Sequence, residues 1–275
     1  MKKFNLFLTS VIAVIMLAAC ASVSRVPITG RKQRLSVSDG EMLSLSASQY
    51  KEYLGSAKKS TDAAKTAMVQ RVGQNLARAV ESYLTNTGYA NEVKNYAWEF
   101  NLVQNNAANA FCMPGGKIVV YDGMLAITQD EPSLAIVLGH EIAHAVAKHS
   151  AEQMSKQKNQ SILASLGTAV VAAKAGENAA GLASSLASTG LSFLNAHYSR
   201  DNESEADHMG LIFAAMAGYD PNTALTFWKR MSSASSGAAS QGILQTYLRS
   251  HPSDTKRVSD IQKWLPEAMK YYKGK

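Results

Sequence analysis

The sequence predicts an α+β fold that is mainly helical and carries a small β-sheet. Apolar residues recur at helical spacing over residues 41–54 and 61–84, whereas apolar and polar residues alternate over residues 97–103, as in a strand. A further helix carries the pattern His-Glu-x-x-His at residues 140–144. A chain of 275 residues can bury one sizeable core, so we expect one main domain with an N-terminal extension.

The first residues have the pattern of a secretory leader. Two lysines open the chain, residues 6–17 are almost wholly apolar, and small residues lead to Cys20. This pattern predicts a signal peptide over residues 1–19, with an ordinary cleaved leader or an anchor helix as alternatives. The ending resembles the bacterial lipobox, which implies a lipid on Cys20. Because Ala21 is not an aspartate, the resemblance also implies an outer-membrane anchor facing the periplasm.

Residues 20–60 are predicted to form a lipid-anchored tether followed by an N-terminal helix. Pro27, Gly30, several serines and scattered basic residues are typical of an irregular segment. We expect this tether to provide reach from the membrane rather than chemistry. The catalytic domain is expected over residues 61–275.

A β-hairpin is predicted immediately before the histidine-bearing helix. Residues 109–113 and 117–121 have strand character, and the intervening Pro-Gly-Gly at 114–116 suits a turn that requires positive φ angles. Cys112 is expected to be a small buried apolar residue. With Cys20 carrying a lipid, no intramolecular disulfide is expected.

The histidine-bearing helix is predicted to run from about Asp130 to His149. Thr128 and Glu131 have the spacing of a capping box. Gly139 is unfavourable inside a helix, so we expect another part of the chain to approach its backbone closely.

This helix places His140 and His144 on one face, since four residues make about one turn. Two neutral imidazoles can occupy two corners of a tetrahedral Zn²⁺ site, and Glu141 lies just off that line, where a water would sit. The spacing indicates zinc-assisted hydrolysis if a third protein ligand exists. An ordinary solvated helix could carry the same pattern.

Residues 155–197 are rich in alanine, serine, glycine and leucine and are predicted to form a helical arm. The apolar stretches are short and contain serines, which favours a soluble arm or a lid over a membrane-inserted hairpin.

A third ligand is predicted in the helix that begins near Ser199. Glu203 and Asp207 are four residues apart and therefore share a face. Glu203 can supply the third zinc ligand, while Asp207 can accept the second ring N–H of a coordinating histidine and fix its tautomer. By themselves the two acids would indicate an ordinary acidic first turn. Together with His140 and His144 they predict a centre that binds one Zn²⁺ per chain.

Four sequence blocks, in this order, resemble those of metallopeptidase family 48. They are the Asn-Ala-Phe hairpin at 109–116, His-Glu-x-x-His at 140–144, Ser-Arg-x-x-Glu-x-Glu-Ala-Asp at 199–207, and His-Pro with a following arginine at 251–257. The likeness covers roughly residues 61–265. This family includes heat-shock, CAAX prenyl and mitochondrial overlapping-activity proteases, and the leader resembles that of its periplasmic lipoprotein branch. The resemblance implies a zincin-like (gluzincin) fold and a zinc metalloendopeptidase.

The resemblance also implies roles for individual residues. It places zinc at His140, His144 and Glu203, and makes Glu141 the general base that takes a proton from the attacking water.

Substrate binding is implied at Asn109 and Ala110, which resemble the edge-strand residues that hold an extended substrate by main-chain hydrogen bonds. Such β-addition would favour extended or unfolded polypeptide. A simple half-buried strand would produce much of the same alternation.

Two interpretations of His251 and Arg257 stay open. One of them could stabilise the oxyanion, or His251 could occupy the open coordination position in a resting state. Alternatively, His251 is a packing or helix-start residue and Arg257 a salt-bridge partner. The remaining histidines match no block, and we expect surface or second-layer positions for His149, His197 and His208.

The implied function is hydrolysis of peptide bonds in unfolded or misassembled proteins of the bacterial cell envelope. A chaperone-like or binding lipoprotein with a non-catalytic zinc site, and a zinc hydrolase of a non-protein substrate, are the alternatives. The net charge is +7 with the basic residues scattered, so we predict no nucleic acid partner. The sequence does not indicate an oligomeric state.

Overall fold

The computed structural model describes residues 22–161, 193, 197–236, 238–251 and 256–274. The predicted signal peptide and the lipidation site Cys20 lie outside the described residues, as do residues 162–192 and 194–196 of the predicted arm. Within the described ranges the chain is mainly helical with two small sheets, so the predicted fold class is confirmed.

The N-terminal segment folds as a hairpin rather than as an irregular tether. Strand β1 (Ser22–Arg25) pairs antiparallel with β2 (Lys32–Leu35), and the turn between them includes positive φ angles at Ile28 and Gly30. Val26 is fully buried in the main core. The sequence analysis missed this hairpin because each strand has only four residues, too few for a clear alternation.

Two long helices follow close to their predicted positions. Helix α1 (Asp39–Ser56) begins with a capping box in which Ser38 and Glu41 exchange hydrogen bonds. Helix α2 (Ala63–Asn86) is capped by Asp62, and the short helix α3 (Ala90–Val93) comes next. The apolar face of α2 is buried in the main core at Val69, Val72, Leu76, Val80 and Leu84.

A three-stranded sheet contains β3 (Glu99–Val103), β4 (Ala110–Met113) and β5 (Lys117–Tyr121) in the order β3-β5-β4. Strand β5 lies parallel to β3 and antiparallel to β4. The predicted turn glycines Gly115 and Gly116 have φ angles of +87° and +80°. Cys112 is buried in β4, as predicted. Strand β4 therefore forms one edge of the sheet, beside the histidine-bearing helix.

The histidine-bearing helix is shorter than predicted. Helix α4 (Asp122–Thr128) ends at Thr128, and α5 (Glu131–Val146) begins one turn later with Asp130 as its N-cap, accepting a hydrogen bond from the Ser133 amide. The predicted capping box at Thr128 is therefore wrong, because Asp130 performs that role. Lys148 has a φ of +56°, which ends α5, and a new helix, α6, occupies residues 149–161.

The C-terminal half supplies the helices α7 (Arg200–Met216), α8 (Thr223–Ser236), α9 (Ala238–Ser250) and α10 (Arg257–Ala268). Helices α5 and α7 make the most extensive helix contact among the described elements. They meet at two glycines: a Cβ added to Gly139 would lie 2.6 Å from the Gly210 carbonyl oxygen, and one added to Gly210 would lie 2.6 Å from the His140 amide nitrogen. The close approach predicted at Gly139 is thus confirmed.

None of the helices in the described part of the chain is both long and apolar enough to cross a membrane.

Candidate metal centre

Four buried donor groups converge where α5, α7 and the end of α9 meet. They come from His140, His144, Glu203 and His251, and their ligand atoms all lie within 4.8 Å of one another. The Nε2 atoms of His140 and His144 are 3.0 Å apart and lie 3.4 Å and 3.3 Å from the two Glu203 carboxylate oxygens. The structure therefore brings together the three zinc ligands that the sequence predicts.

The donor set fits a zinc ion. Bonds of about 2.0–2.1 Å in a tetrahedron place neighbouring donor atoms roughly 3.3 Å apart. His251 Nδ1 is 3.3 Å from His140 Nε2 and 3.0 Å from a Glu203 oxygen, so it approaches the fourth corner. Two imidazoles and a carboxylate are the ligand types of catalytic zinc sites.

His140 is supported by buried charges from α7 and α10. Its Nδ1 lies 2.9 Å from Asp207 Oδ1, which leaves Nε2 facing the other donors. Arg257 donates hydrogen bonds to Asp207 at 2.5 Å and to Glu203 at 2.9 Å, and its guanidinium lies over the Trp228 ring. Asp207 therefore occupies the orienting position that the sequence predicts.

These charges control the proton of His140 in the metal-free site. Burial opposes protonation, but Glu203 and Asp207 outweigh it and raise the pKa of His140 to about 10. Burial would raise the pKa of Glu203, yet His251 and His140 hold it well below its ordinary value. A metal ion at this site would therefore replace a proton on His140.

His144 is supported from the opposite direction by a neutral side chain. Its Nδ1 lies 2.9 Å from His149 Nδ1, and His149 Nε2 lies 2.9 Å from Glu205 Oε2. Burial lowers the pKa of both imidazoles, that of His144 strongly. Burial alone would raise the pKa of Glu205, but hydrogen bonds from His149, Thr29 and Arg31 lower it.

Glu141 lies beside the donors without joining them. Its carboxylate is buried, and Oε1 has no hydrogen-bond partner among the described residues. Its nearest ionic neighbour is His251 Nε2, at 3.6 Å. Burial raises the pKa of Glu141, which brings the carboxylate closer to the range in which it can exchange protons near neutral pH.

His251 and Arg257, the two residues of the 251–257 block with open interpretations, have different surroundings in the structure. His251 is buried beside the metal donors and Glu141, and its ring stacks on Tyr247. Arg257 contacts Glu203 and Asp207, as in the salt-bridge alternative. Residues 252–255 lie outside the described residues.

Successive residues of the predicted substrate strand β4 direct their main-chain groups alternately toward β5 and away from it. The Asn109 carbonyl accepts a hydrogen bond from the Tyr121 amide, so Asn109 is turned toward β5. By the alternation of an antiparallel ladder, Ala110 then turns its main-chain groups away from β5, although the residue is fully buried in this conformation. The Asn109 side-chain oxygen is buried and has no partner among the described residues. A small cavity of about 40 Å³ lies beside His144, next to the β4–β5 turn.

Sequence analysis did not find the partners of His144. His149 was expected at the surface or in a second layer, and the structure places it, fully buried, directly behind His144. Periodicity could not assign this contact, because the break at Lys148 separates the two histidines onto different helices. Glu205 lies only two residues from Glu203, and the acidic alternation of Glu203, Glu205 and Asp207 was the available signal. His197 is exposed, and His208 pairs with Glu267 away from the donors.

Comparison with known proteins supports this geometry. The model of Peptidase family M48 matches residues 63–265. The mitochondrial metalloendopeptidase OMA1 of Schizosaccharomyces pombe is 38% identical over 172 residues, which are 62% of this chain and 48% of that protein.

Two further relatives align over more of the chain. The human mitochondrial metalloendopeptidase OMA1 is 29% identical over 246 residues, 89% of this chain and 46% of that protein. The beta-barrel assembly-enhancing protease of Escherichia coli is 27% identical over 246 residues, 88% of this chain and 47% of that protein. The chain spans about half the length of these relatives. The family match covers most of the chain and includes every donor of the candidate centre, and the chain belongs to Peptidase family M48.

Proposed function

We propose that the chain is a zinc metalloendopeptidase in which His140, His144 and Glu203 hold the metal and Glu141 is the general base. The proposal rests above all on Glu141, a buried carboxylate with an unsatisfied oxygen beside three converging metal donors. A structural zinc site would have no chemical use for such a group next to an exchangeable fourth position.

When bound, zinc would supply Lewis-acid chemistry, lowering the pKa of a coordinated water to about 7 and polarising the substrate carbonyl. Glu141 accepts the proton of the attacking water and passes it to the departing amine. Its raised pKa suits both transfers, because the carboxyl must first accept a proton and then release it.

His251 Nδ1 lies 3.3 Å from His140 Nε2, close enough for His251 to occupy the fourth corner of the proposed zinc site. We propose this as the resting arrangement. The imidazole must turn aside before a substrate carbonyl can reach the metal, and its new position would suit stabilisation of the oxyanion. Arg257 keeps Glu203 and Asp207 in place during both states.

We propose extended polypeptide as the substrate. The outer edge of β4 pairs with no other strand among the described residues, and it would offer the main-chain groups of Ala110 once the residues that bury Ala110 move aside. The Asn109 side chain has an oxygen without a partner close by. An added strand requires an extended chain, which favours unfolded or misassembled proteins over folded ones. The relatives named as endopeptidases or proteases are consistent with polypeptide substrates.

The proposed setting is the bacterial cell envelope, with a signal peptide at 1–19, a lipid on Cys20 and the metallopeptidase domain over 61–275. Support for this location comes from the leader sequence, because the relatives include mitochondrial as well as bacterial proteins. The resemblance to the lipobox, with Ala21 rather than an aspartate after Cys20, supports the proposal of an outer-membrane anchor facing the periplasm.

The test is Glu141→Gln, with zinc content and cleavage of unfolded casein measured on the same sample. Removing only the base should leave one zinc per chain while casein hydrolysis falls by about 10²–10⁴-fold. Glu131→Gln, at the start of the same helix, is the matched control and should retain activity.

Full activity of Glu141→Gln would refute the mechanism. Wild-type protein that binds casein but never cleaves it, even when loaded with zinc, would instead favour a binding lipoprotein. Cleavage of a small acylated compound without any cleavage of casein would favour a hydrolase of non-protein substrates.

A further inference from the structure

We propose that His149, Glu205 and Arg31 form a positioning chain that holds His144 as a metal ligand, so that the N-terminal hairpin belongs to the metal centre. This inference rests on the proposed zinc site. It adds three residues outside the donor set, one of which lies in a segment that the sequence analysis treated as a simple tether.

The positioning chain is continuous from the metal ligand to the hairpin. His144 Nδ1 lies 2.9 Å from His149 Nδ1, and His149 Nε2 lies 2.9 Å from Glu205 Oε2. The same Glu205 oxygen accepts a hydrogen bond from Arg31 Nε at 2.8 Å, and the other oxygen accepts one from the Thr29 hydroxyl at 2.5 Å. Each contact is short enough for a hydrogen bond.

The donor and acceptor capacities of Arg31 and Glu205 fix the direction of each hydrogen bond in the positioning chain. Arg31 can only donate and the Glu205 carboxylate can only accept, so a neutral His149 must donate from Nε2 and accept at Nδ1. His144 must then donate from Nδ1. This leaves the lone pair of His144 on Nε2, the atom that faces His140 and Glu203.

Burial makes this set of partners necessary. His144 and His149 are 1% and 0% exposed, so water cannot replace a missing partner at either ring. Without an acceptor behind it, His144 could adopt the other tautomer and place a proton on the atom that must bind the metal.

The turn of the N-terminal hairpin holds Arg31 in position beside Glu205. The Gly30 amide donates to the Val26 carbonyl, and the Val26 amide donates to the Arg31 carbonyl, which closes the turn. Val26 is fully buried in the main core, so the turn is fixed to the domain. The Arg31 guanidinium also contacts Glu152 on α6, at 3.0 Å, which holds it from a second direction.

The experiment measures the zinc dissociation constant of the full chain by competition with a chromophoric chelator. Glu205→Leu keeps much of the bulk of the side chain but removes the oxygen that accepts from both His149 and Arg31. We expect its zinc affinity to fall by about 10- to 100-fold, the usual effect of disturbing the groups that orient a coordinating histidine. Arg31→Gln, which changes a partly exposed residue, should lower it by about two- to fivefold.

Two variants provide matched controls. Glu267→Gln removes the α10 carboxylate that pairs with His208 of α7 at 2.7 Å, a histidine–glutamate pair that does not reach a metal donor. Glu152→Gln removes the other partner of Arg31 and leaves Glu205 intact. Both should bind zinc within about twofold of the wild type, since their contacts are partly exposed.

The absorption spectrum of the cobalt-substituted protein gives a second measurement, because it reports ligand geometry and not only stability. We expect it to change in Glu205→Leu and to stay unchanged in Glu267→Gln. Wild-type affinity and spectrum in folded Glu205→Leu and Arg31→Gln would overturn the inference. Failure of the wild-type protein to bind zinc would instead refute the proposed function.

Discussion

The two histidines of the metal centre lie one turn apart on the same helix, yet opposite kinds of chemistry support them. His140 is backed by Asp207, whose charge is balanced by the buried guanidinium of Arg257. His144 is backed by a neutral imidazole, His149, behind which the buried Glu205 pairs with the partly exposed Arg31. One support is a buried ionic cluster, and the other is a chain that ends at a partly exposed arginine.

Because of this difference, we expect the two supports to contribute differently to folding stability and to metal affinity. A buried charge must be compensated inside the protein, so the cluster behind His140 is needed for folding as well as for metal binding. Arg31 is one-third exposed and can be solvated when its partner is lost. We therefore expect the His140 side to dominate the free energy of unfolding, and the His144 side to affect mainly zinc binding.

The largest effect is expected from Arg257→Met. This change removes the guanidinium from the buried carboxylates of Glu203 and Asp207 and leaves them only the charge of protonated His140, so it should lower the free energy of unfolding of the metal-free protein by about 3–5 kcal/mol. Urea unfolding measures it. Arg31→Gln should lower the free energy of unfolding by less than about 1 kcal/mol. Equal losses in the two variants would remove the proposed difference between the two sides.

A smaller effect, which would involve the supports of both His140 and His144, is expected from Gly210→Ala. The added methyl group would meet the His140 backbone at 2.6 Å and force α5 and α7 apart. We expect a loss of about 1–3 kcal/mol in the free energy of unfolding, together with weaker zinc binding. Gly242→Ala is the matched control, because a Cβ at this helical position meets nothing within 4 Å. It should be neutral or stabilising by up to about 1 kcal/mol.

A third expected effect is a pH dependence that distinguishes the two histidines. The pKa of His140 is raised to about 10, so the metal-free folded state retains a proton that the unfolded state releases above about pH 6.5. The stability from this proton is complete below that pH and is lost as the pH rises toward 10, by at most about 1.4 kcal/mol per pH unit.

His144 has the opposite sign, because its lowered pKa makes stability fall only as the pH drops through about 6.5. Urea unfolding between about pH 7 and about pH 9 should therefore show a decline in the metal-free protein. The decline should disappear with zinc, which replaces the proton on His140. The same slope with and without zinc would show that His140 does not exchange a proton for the metal.

The sequence predicted those parts of the molecule that depend on local spacing. The helices at 39–56 and 63–86, the turn at Gly115 and Gly116, and the helical face shared by His140 and His144 all follow from periodicity or backbone conformation. Glu203 and Asp207 could be added because their four-residue spacing repeats the same rule on a second helix.

The sequence did not predict contacts between segments that are far apart along the chain. The pairing of His149 with His144 depends on the left-handed residue Lys148, which redirects the chain into a new helix. Arg31 meets Glu205 across 174 residues of sequence, and nothing in either neighbourhood indicates the other. Arg257 was assigned two competing roles because a single arginine can serve an oxyanion or a carboxylate equally well, and only its distances decide between them.

The glycine contact between α5 and α7 determines when the metal can enter. Because Gly139 and Gly210 bring the two backbones together by direct packing, the donors on both helices are already in position when the chain has folded. Little conformational entropy remains to be lost on binding, and the ion has no part in joining the helices. We therefore expect a molecule that has lost its metal to take up another by simple exchange, without unfolding first.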